Sequence, residues 1–447
     1  MRLAQFQRSF ERAFSPARYL TLVNVAATGI GFVQGLITAR QLGVAAYGVA
    51  AVIGSINAAV LNFLDIRLTD LAAKLYYVPI DNPDEQRAYR ASVLQVVLAG
   101  NGLVSFVLAG LGLAVSLLFI RRLTDAPVSV AWLVAQALIA ALNNWASTFD
   151  YLLRFSGRFY LLGSWRLATR IGLTILFLAL FLPGSNLDAY YQALLAVAAA
   201  SMILVIALAL WIWLRLQGLP VLRPALGRAW PDYWRERRFL FYGNLLGYVK
   251  MLQRAADVIL VGYFADDRVT GLYKLARSLS DTLLIVFDAV NQVYYPHLMD
   301  LLGHKAAPEY RRLARRLFLG SAAFTLAAVV GEVLLLKPLL RIALTDQYAG
   351  AEGAVVILTI PFLFVTGIYI WLWPLFVHSG QLRNYALFSL LAVGVQYAVS
   401  IGMLRLFPTS PAGAAAGYLA HYLVLYPLLY WLALKTHRPY LPTTAEA

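Results

Sequence analysis

The chain has 447 residues, 61% of them hydrophobic and 13% charged, with a formal net charge of +15 and no cysteine. Apolar runs from one end to the other indicate a polytopic helical membrane protein. The lack of cysteine excludes disulfides, thiolate metal sites and cysteine nucleophiles. A soluble chain this basic would suggest nucleic acid, but here the basic residues cluster beside apolar segments, so we expect no nucleic-acid partner.

A helix needs about 20 residues to cross a bilayer core about 30 Å thick. By that criterion the sequence predicts an all-α fold with about twelve transmembrane helices. The predicted spans are 18–39, 44–66, 90–118, 128–149, 159–182, 189–215, 239–264, 269–297, 313–337, 351–378, 382–406 and 411–435.

The distribution of lysine and arginine predicts the orientation of these helices. With the N-terminus inside, most of the basic residues fall in cytoplasmic segments, as the positive-inside rule requires, and both termini are cytoplasmic. The predicted outer loops hold Arg40, Arg121, Arg122, Arg268, Lys337, Arg341 and Arg405.

Two segments differ from the apolar pattern. Residues 1–17 place three phenylalanines at helical spacing among arginines, which predicts an interfacial N-terminal helix. Residues 217–238 contain three prolines, five arginines and three aromatic residues, which is typical of a cytoplasmic linker. This linker would separate a six-helix lobe over 18–216 from another over 239–437, leaving 438–447 as a cytoplasmic tail.

A weak internal repeat supports two similar lobes. LGVAAYGVA (42–50) joins the first two predicted helices, and VGYFADDRVTGLYKLA (261–276) joins the seventh and eighth. Aligning Gly48 with Gly271 places Asp65 on Asp288. The alignment predicts parallel repeats around an axis along the membrane normal.

Three charged residues share one face of the predicted seventh helix. Lys250, Arg254 and Asp257 are spaced i, i+4, i+7 in an otherwise apolar stretch. Each central charge costs roughly 2.5–3.5 kcal/mol on insertion scales, so this face must line a polar cavity or pair inside the protein. Two hypotheses remain open: a structural ion pair between Arg254 and Asp257, or an anionic-substrate site on Lys250 and Arg254 with Asp257 coupling an ion.

The predicted eighth helix places four more charged residues on one face. Lys274 and Arg277 are candidates for substrate binding, although Arg277 can also pair with Asp281 at i, i+4. Asp288 lies deeper and has no obvious partner in its own helix. It is therefore a candidate for proton or ion coupling.

Two arginines in the predicted fifth helix are further candidates. Arg166 lies near the cytoplasmic end, where positive-inside residues are common, and Arg170 lies deeper. Both are included as candidate substrate-binding residues.

Signals of enzymatic chemistry are missing from the sequence. There is no G-x-x-x-x-G-K-[ST] phosphate loop, and the five histidines form no close helical pair with a carboxylate that would predict a metal site. The predicted outer loops are too short for a folded domain. We therefore expect neither an enzyme nor a cofactor or metal site, and we expect function to lie between the helices.

The residues around the first helix connection carry a family resemblance. Ala39-Arg40, Leu42-Gly43 and Tyr47-Gly48 resemble the opening of the polysaccharide-biosynthesis or O-antigen (Wzx-type) flippase family. RAADVILVGYF followed by GLYKLARSLSD is similar to the opening of that family's second half. The family belongs to the multidrug/oligosaccharidyl-lipid/polysaccharide exporter superfamily.

The resemblance implies two six-helix lobes around a central cavity in a bacterial inner membrane. It implies a flippase that moves undecaprenyl-pyrophosphate-linked oligosaccharide by alternating access, with membrane lipids, a coupling proton or sodium ion and other polysaccharide-assembly proteins as partners. The first alternative is a multidrug/cation antiporter of the same superfamily. A membrane glycan polymerase or ligase, or a non-transporting scaffold of an export complex, are further alternatives.

Overall fold

A computed structural model describes residues 2–63, 68–76, 80–154, 159–217, 226–235, 248, 251–253, 256–379 and 381–441. These residues are almost entirely helical, and no strand occurs among them. The helices are α1 (Arg2–Leu42), α2 (Val44–Phe63), α3 (Leu68–Tyr76), α4 (Pro83–Phe119), α5 (Val130–Arg154), α6 (Phe159–Phe181), α7 (Leu187–Gln217), α8 (Leu226–Arg235), α9 (Ala256–Phe264), α10 (Asp267–Gly303), α11 (Ala307–Ala343), α12 (Glu352–His378, with a π-helical segment Val365–Tyr369), α13 (Leu382–Leu406) and α14 (Ala412–Thr436).

Ten of these helices are long and apolar enough to cross a membrane, and each coincides with one of the twelve predicted spans. The all-α polytopic fold is therefore confirmed. Half of the predicted span over 239–264 lies outside the described residues, and its last part forms α9. The span predicted over 269–297 lies inside α10, whose charged residues reduce its apolar character.

The chain divides into two compact units, the first formed by residues 1–52 and 257–447 and the second by residues 53–256. This grouping cuts the chain at other points than the predicted lobes, because α1 packs against α10 and α11. The predicted lobe boundaries, linker and tail stay a prediction. The N-terminal segment 1–17 is continuous with the first span in α1.

The second unit is held together by apolar packing and by polar side chains between its helices. The Asn101 amide donates to the Thr148 hydroxyl at 3.1 Å, and the Asn144 amide donates to Ser105 at 2.8 Å. Both bonds join α4 to α5. These asparagines therefore link helices inside this unit, the commoner use of amides in membrane proteins.

In the first unit, the corner between α1 and α2 is fixed by a residue with positive φ. Gly43 has φ +76°, a conformation that favours glycine at the end of a helix. The Tyr348 hydroxyl donates to the carbonyl of Ala39 in the last turn of α1 at 2.7 Å. The corner is thereby attached to the 3₁₀ turn Asp346–Tyr348, which follows α11.

Candidate functional site

The first component of the candidate site is a carboxylate at the start of α9. Asp257 is 3% exposed, and it accepts hydrogen bonds from the amide of Val258 at 2.7 Å and the hydroxyl of Tyr273 at 2.8 Å. Its position in the first turn is favourable for a negative charge because of the helix dipole. Tyr273 comes from α10, so the two helices meet at this carboxylate.

The second component is Arg277, one helical turn after Tyr273. Its Nη1 lies 3.6 Å from Asp257 Oδ2, and the side chains of both residues are 4% exposed. Its Nε donates to Asp281 Oδ2 at 3.3 Å, and the Asp281 side chain is 44% exposed. The predicted pairing of Arg277 with Asp281 is thus confirmed, and Arg277 has a second partner that spacing within one helix could not predict.

The guanidinium of Arg277 also lies over an aromatic ring of α14. The distance from its central carbon to the ring centre of Tyr418 is 3.8 Å, which is close contact for a cation–π interaction. The Tyr418 hydroxyl lies 2.9 Å from that of Tyr422, the next residue of the same helical face. One arginine therefore connects α9, α10 and α14.

Both terminal nitrogens of Arg277 are buried; Nη1 has only the 3.6 Å ion contact with Asp257, and Nη2 has no hydrogen-bond partner among the described residues. Leaving buried donors of a charged group unpaired is costly, so such a group commonly marks a function. Arg277 borders a small cleft lined also by Ser280, Asp281, Leu358, Pro361, Phe362, Val365, Tyr418 and Tyr422.

Lys274 is half-buried and interacts electrostatically with Asp281 and Asp257. With Arg277 it places two basic and two acidic side chains near one another. The described part of the candidate site is therefore balanced in charge. The excess of basic residues predicted here depends on Lys250 and Arg254, which lie outside the described residues.

The remaining predicted residues are distributed as follows. Asp288 belongs to α10, but its side chain lies outside the described part of the chain. Arg166 and Arg170 belong to α6 in the second compact unit, where Arg166 is half-buried and Arg170 is exposed. The structure thus brings together Asp257, Lys274 and Arg277, and it leaves the substrate roles of all the predicted residues as predictions.

Three aromatic residues of α14 extend the site along one face of the helix. Tyr422 and Tyr426 stack with their planes 11° apart, and Phe364 of α12 stacks on Tyr426 with a ring-centre distance of 5.6 Å. Tyr418 begins this row beside Arg277. The spacing i, i+4, i+8 could have revealed the row in the sequence, although tyrosine is common throughout this chain.

Sequence reasoning also missed a carboxyl group in α11. One oxygen of Glu332 accepts a hydrogen bond from the fully buried Thr359 of α12 at 2.8 Å, while the other is buried without a hydrogen-bond partner in the described ranges. Neighbours on the same helix, such as Val333 and Leu334, are 65% and 68% exposed. Glu332 could have been identified from the sequence, because it is the single carboxylate in the apolar run TLAAVVGEVLLL.

Metal ligation has no support in the part of the chain that the structure describes. No group of three or more histidine, aspartate or glutamate side chains lies close enough there to hold an ion. The chemistry available at the site is therefore that of paired charges, hydroxyl groups and aromatic rings.

Comparison with known proteins gives matches only at the level of structure. No family model matches the sequence, and no curated protein matches it either. The lipid II flippase MurJ in an inward closed conformation matches with a TM-score of 0.66 and 13% identity, over 93% of this chain and 87% of that one.

Transporters of the MATE family match over a similar extent. The eukaryotic MATE transporter AtDTX14 gives a TM-score of 0.60 and 12% identity, covering 96% of this chain and 97% of that one. The Vibrio cholerae MATE transporter VcmN in the bent form gives 0.57 and 16%, covering 97% and 98%. The chain therefore shares the fold of the MurJ flippase and the MATE transporters.

Proposed function

We propose that this protein is a transporter that moves a polyprenyl-pyrophosphate-linked oligosaccharide from the inner to the outer leaflet by alternating access. The observation that supports this most is the state of Arg277, a buried arginine whose Nη2 has no hydrogen-bond partner in the described structure and whose Nη1 has only a 3.6 Å ion contact with Asp257. A planar guanidinium binds phosphate oxygens with two parallel hydrogen bonds.

The surroundings of Arg277 fit the diphosphate of such a lipid. Hydroxyl groups of Ser280, Tyr418 and Tyr422 line the same cleft and can donate to phosphate or sugar oxygens. Lys274 supplies a second cation one turn away. When the site opens, an anionic group would take the place that Asp281 holds beside Arg277.

The physical properties of the substrate fit the superfamily fold. Moving the long polyprenyl tail into water would cost about 0.8 kcal/mol for each methylene group, so the tail must remain in the bilayer. The polar head alone needs a path between helices. Lys250, Arg254, Arg166 and Arg170 stay further candidates for binding the anionic head.

The driving force in this proposal comes from a coupling cation. Asp257 is the most direct candidate for binding this cation, because Arg277 balances its negative charge in the observed state and the cation would replace Arg277. Binding of a proton or sodium ion at Asp257 would release Arg277 for the anionic substrate, and Asp288 is a second candidate for binding that ion. Such an exchange links the two binding events, since each ligand alters the charge that the other meets.

A second candidate function is export of organic cations, and one observation favours it. Asp281 is the exposed carboxylate at the edge of the cleft, and Tyr418 and Tyr422 provide ring faces beside it. A carboxylate next to aromatic rings is suited to a cationic ligand. The solved structures similar to this chain also include that of the MATE multidrug transporter DinF-BH.

Binding measured by native mass spectrometry distinguishes the two candidates. Purified protein is titrated with a polyprenyl-pyrophosphate oligosaccharide, with tetraphenylphosphonium as the competing organic cation. We expect selective binding of the lipid, and about tenfold weaker binding by Arg277→Lys, because lysine keeps the charge but loses the two parallel hydrogen bonds. Arg341→Lys is the control, since Arg341 is an exposed partner of Asp346.

A substitution that removes the charge needs its own control. Arg277→Gln alone leaves the buried Asp257 unpaired, so the double variant Asp257→Asn/Arg277→Gln keeps the buried pair neutral. Loss of lipid binding in a folded double variant would support the proposal. Equal lipid binding by all variants would remove Arg277 from the site, and preferential binding of tetraphenylphosphonium would favour the cation exporter.

A further inference from the structure

The short helix α8 is docked by specific contacts on the first turns of α4. The backbone amide of Ala229 donates to the Ser92 hydroxyl at 3.0 Å, and the Tyr89 hydroxyl donates to Asp232 at 2.8 Å. Tyr233 is buried in the apolar core of the second unit. One face of α8 is therefore fixed to the protein.

The remaining surface of α8 carries large aromatic side chains. Trp230 and Trp234 are 57% and 65% exposed, although tryptophan is the largest side chain and is usually well buried. At about 100° per residue, the two lie side by side on one flank of the docked face, and Arg228 lies on the other flank. Exposing two large apolar rings to water is unfavourable, so this flank needs an apolar neighbour.

The place where α8 docks identifies that neighbour. Its contacts on α4 include Ser92 and Val93, the beginning of the apolar part of that helix. The preceding turns of α4 contain acidic and basic residues, among them Asp84 and Arg87. This is the level at which a membrane span passes from hydrocarbon into the head groups, and tryptophan prefers that zone.

The charges of α8 select the kind of lipid. Asp232 is already held by Tyr89 and by Arg235, whose Nη1 lies 3.2 Å away. Arg228 is exposed and forms no ion pair with any described residue. A basic side chain at this depth meets lipid phosphates and favours a membrane with net negative charge.

We propose that α8 is a binding site for anionic phospholipid head groups, with Trp230 and Trp234 inserted at the level of the glycerol backbone and Arg228 on a lipid phosphate. This site is separate from the transport site and does not depend on the transported substrate. It would hold α8 at the membrane surface, so the lipid composition would affect the position of α8.

The natural lack of cysteine makes a direct test possible, because a single introduced cysteine can be labelled selectively with a nitroxide. A nitroxide label is attached in turn to the variants Trp230→Cys, Arg228→Cys and Asp84→Cys, and each is measured by electron paramagnetic resonance in nanodiscs. Oxygen serves as the membrane-soluble relaxing agent, and a nickel chelate serves as the aqueous one. Asp84 is the control, since its side chain is 89% exposed in the first turn of α4.

The proposal predicts that the label at residue 230 is relaxed by oxygen and protected from nickel, whereas those at residues 228 and 84 are relaxed by nickel. Adding phosphatidylglycerol to phosphatidylcholine nanodiscs should immobilise the label at residue 230. Arg228→Gln should raise the amount of phosphatidylglycerol required about fivefold, as expected for one basic residue at a charged surface.

Two results would overturn the proposal. Equal relaxation by nickel at residues 230 and 84 would mean that α8 lies in water, and equal immobilisation in both lipids would remove the role of anionic head groups. Dipolar broadening between labels at residue 230 in nanodiscs that hold two copies would assign the surface to self-association instead.

Discussion

Gly48 of α2 and Gly271 of α10 lie against each other where their helices cross. A Cβ atom built on Gly48 would lie 3.0 Å from the amide nitrogen of Gly271 and would collide with the carbonyl of Asp267. A Cβ on Gly271 would collide in the same way with the carbonyl of Val44. Each glycine therefore lies against the carbonyl of the residue four positions before the other glycine in the partner helix, so the contact is symmetric.

Substitution of either glycine is expected to destabilise the protein. Gly48→Ala or Gly271→Ala would force the two backbones apart, and overpacking of this kind typically costs about 1–3 kcal/mol. The midpoint of thermal unfolding in detergent should fall for both variants. Gly54→Ala is the matched control in α2, because no atom lies within 4 Å of its Cβ position; an equal loss of stability there would contradict the explanation.

The ion pair between Asp257 and Arg277 should show strong coupling. Removing one member of a buried pair leaves an uncompensated charge and typically costs about 3–5 kcal/mol. We expect Asp257→Asn or Arg277→Gln to lower the unfolding midpoint strongly and the double variant to recover part of the loss. A double-mutant cycle that gave additive effects would show that the two side chains do not depend on each other.

Tyr273→Phe tests the hydrogen bond that orients Asp257. The variant keeps the ring in the apolar core and removes only the hydroxyl that donates to Asp257 at 2.8 Å. A hydrogen bond to a charged group contributes about 1.5–3 kcal/mol, so a loss of this size is expected. The same substitution at Tyr263, which is 57% exposed, should leave the unfolding midpoint unchanged.

The bond from Tyr348 to Ala39 should make stability depend on pH in the alkaline range. Burial raises the pKa of the Tyr348 hydroxyl, and the nearby Tyr47 raises this pKa further. Because the folded pKa is raised, the contribution is complete below the unfolded value of about 10 and is lost as pH rises through the folded pKa. The stability difference between wild type and Tyr348→Phe, about 1–3 kcal/mol at neutral pH, should therefore shrink in strong alkali. A difference independent of pH across that range would show that Tyr348 does not supply it.

Glu332→Gln is expected to preserve the stability of the protein or raise it. The substitution keeps an oxygen that can accept the Thr359 hydrogen bond, and it removes a charge from an apolar helix that gives this residue no ion-pair partner among the described residues. Thermal unfolding of Glu332→Gln and Thr359→Val would check this. A large loss for the glutamine variant would indicate a basic partner for Glu332.

The sequence predicted the membrane fold because length and hydrophobicity determine whether a helix can cross a bilayer. The predicted internal repeat aligns Gly48 with Gly271, and the structure brings these two residues into direct contact, while the repeat itself stays a prediction. In the site, the i, i+4 pair of Arg277 and Asp281 followed from helix geometry alone.

Contacts between helices were beyond sequence reasoning. One of the two hypotheses for Asp257 paired it with Arg254, which lies outside the described residues. The described structure pairs Asp257 with Arg277 of the next helix, which spacing within one helix could not predict. Tyr418 lies under the same arginine but is 141 positions away along the chain, and periodicity within a helix carries no information about such a neighbour.

A translocation assay in proteoliposomes tests most directly whether the protein carries an anionic lipid-linked oligosaccharide across the bilayer, as we propose. A fluorescent polyprenyl-pyrophosphate oligosaccharide is placed in the vesicles, and its appearance in the outer leaflet is followed by quenching with added dithionite. We predict protein-dependent translocation by wild type and by Arg341→Lys, and strongly reduced translocation by Arg277→Lys. The proposal would be contradicted if the lipid crossed no faster than in vesicles without protein while tetraphenylphosphonium was transported in a protein-dependent way.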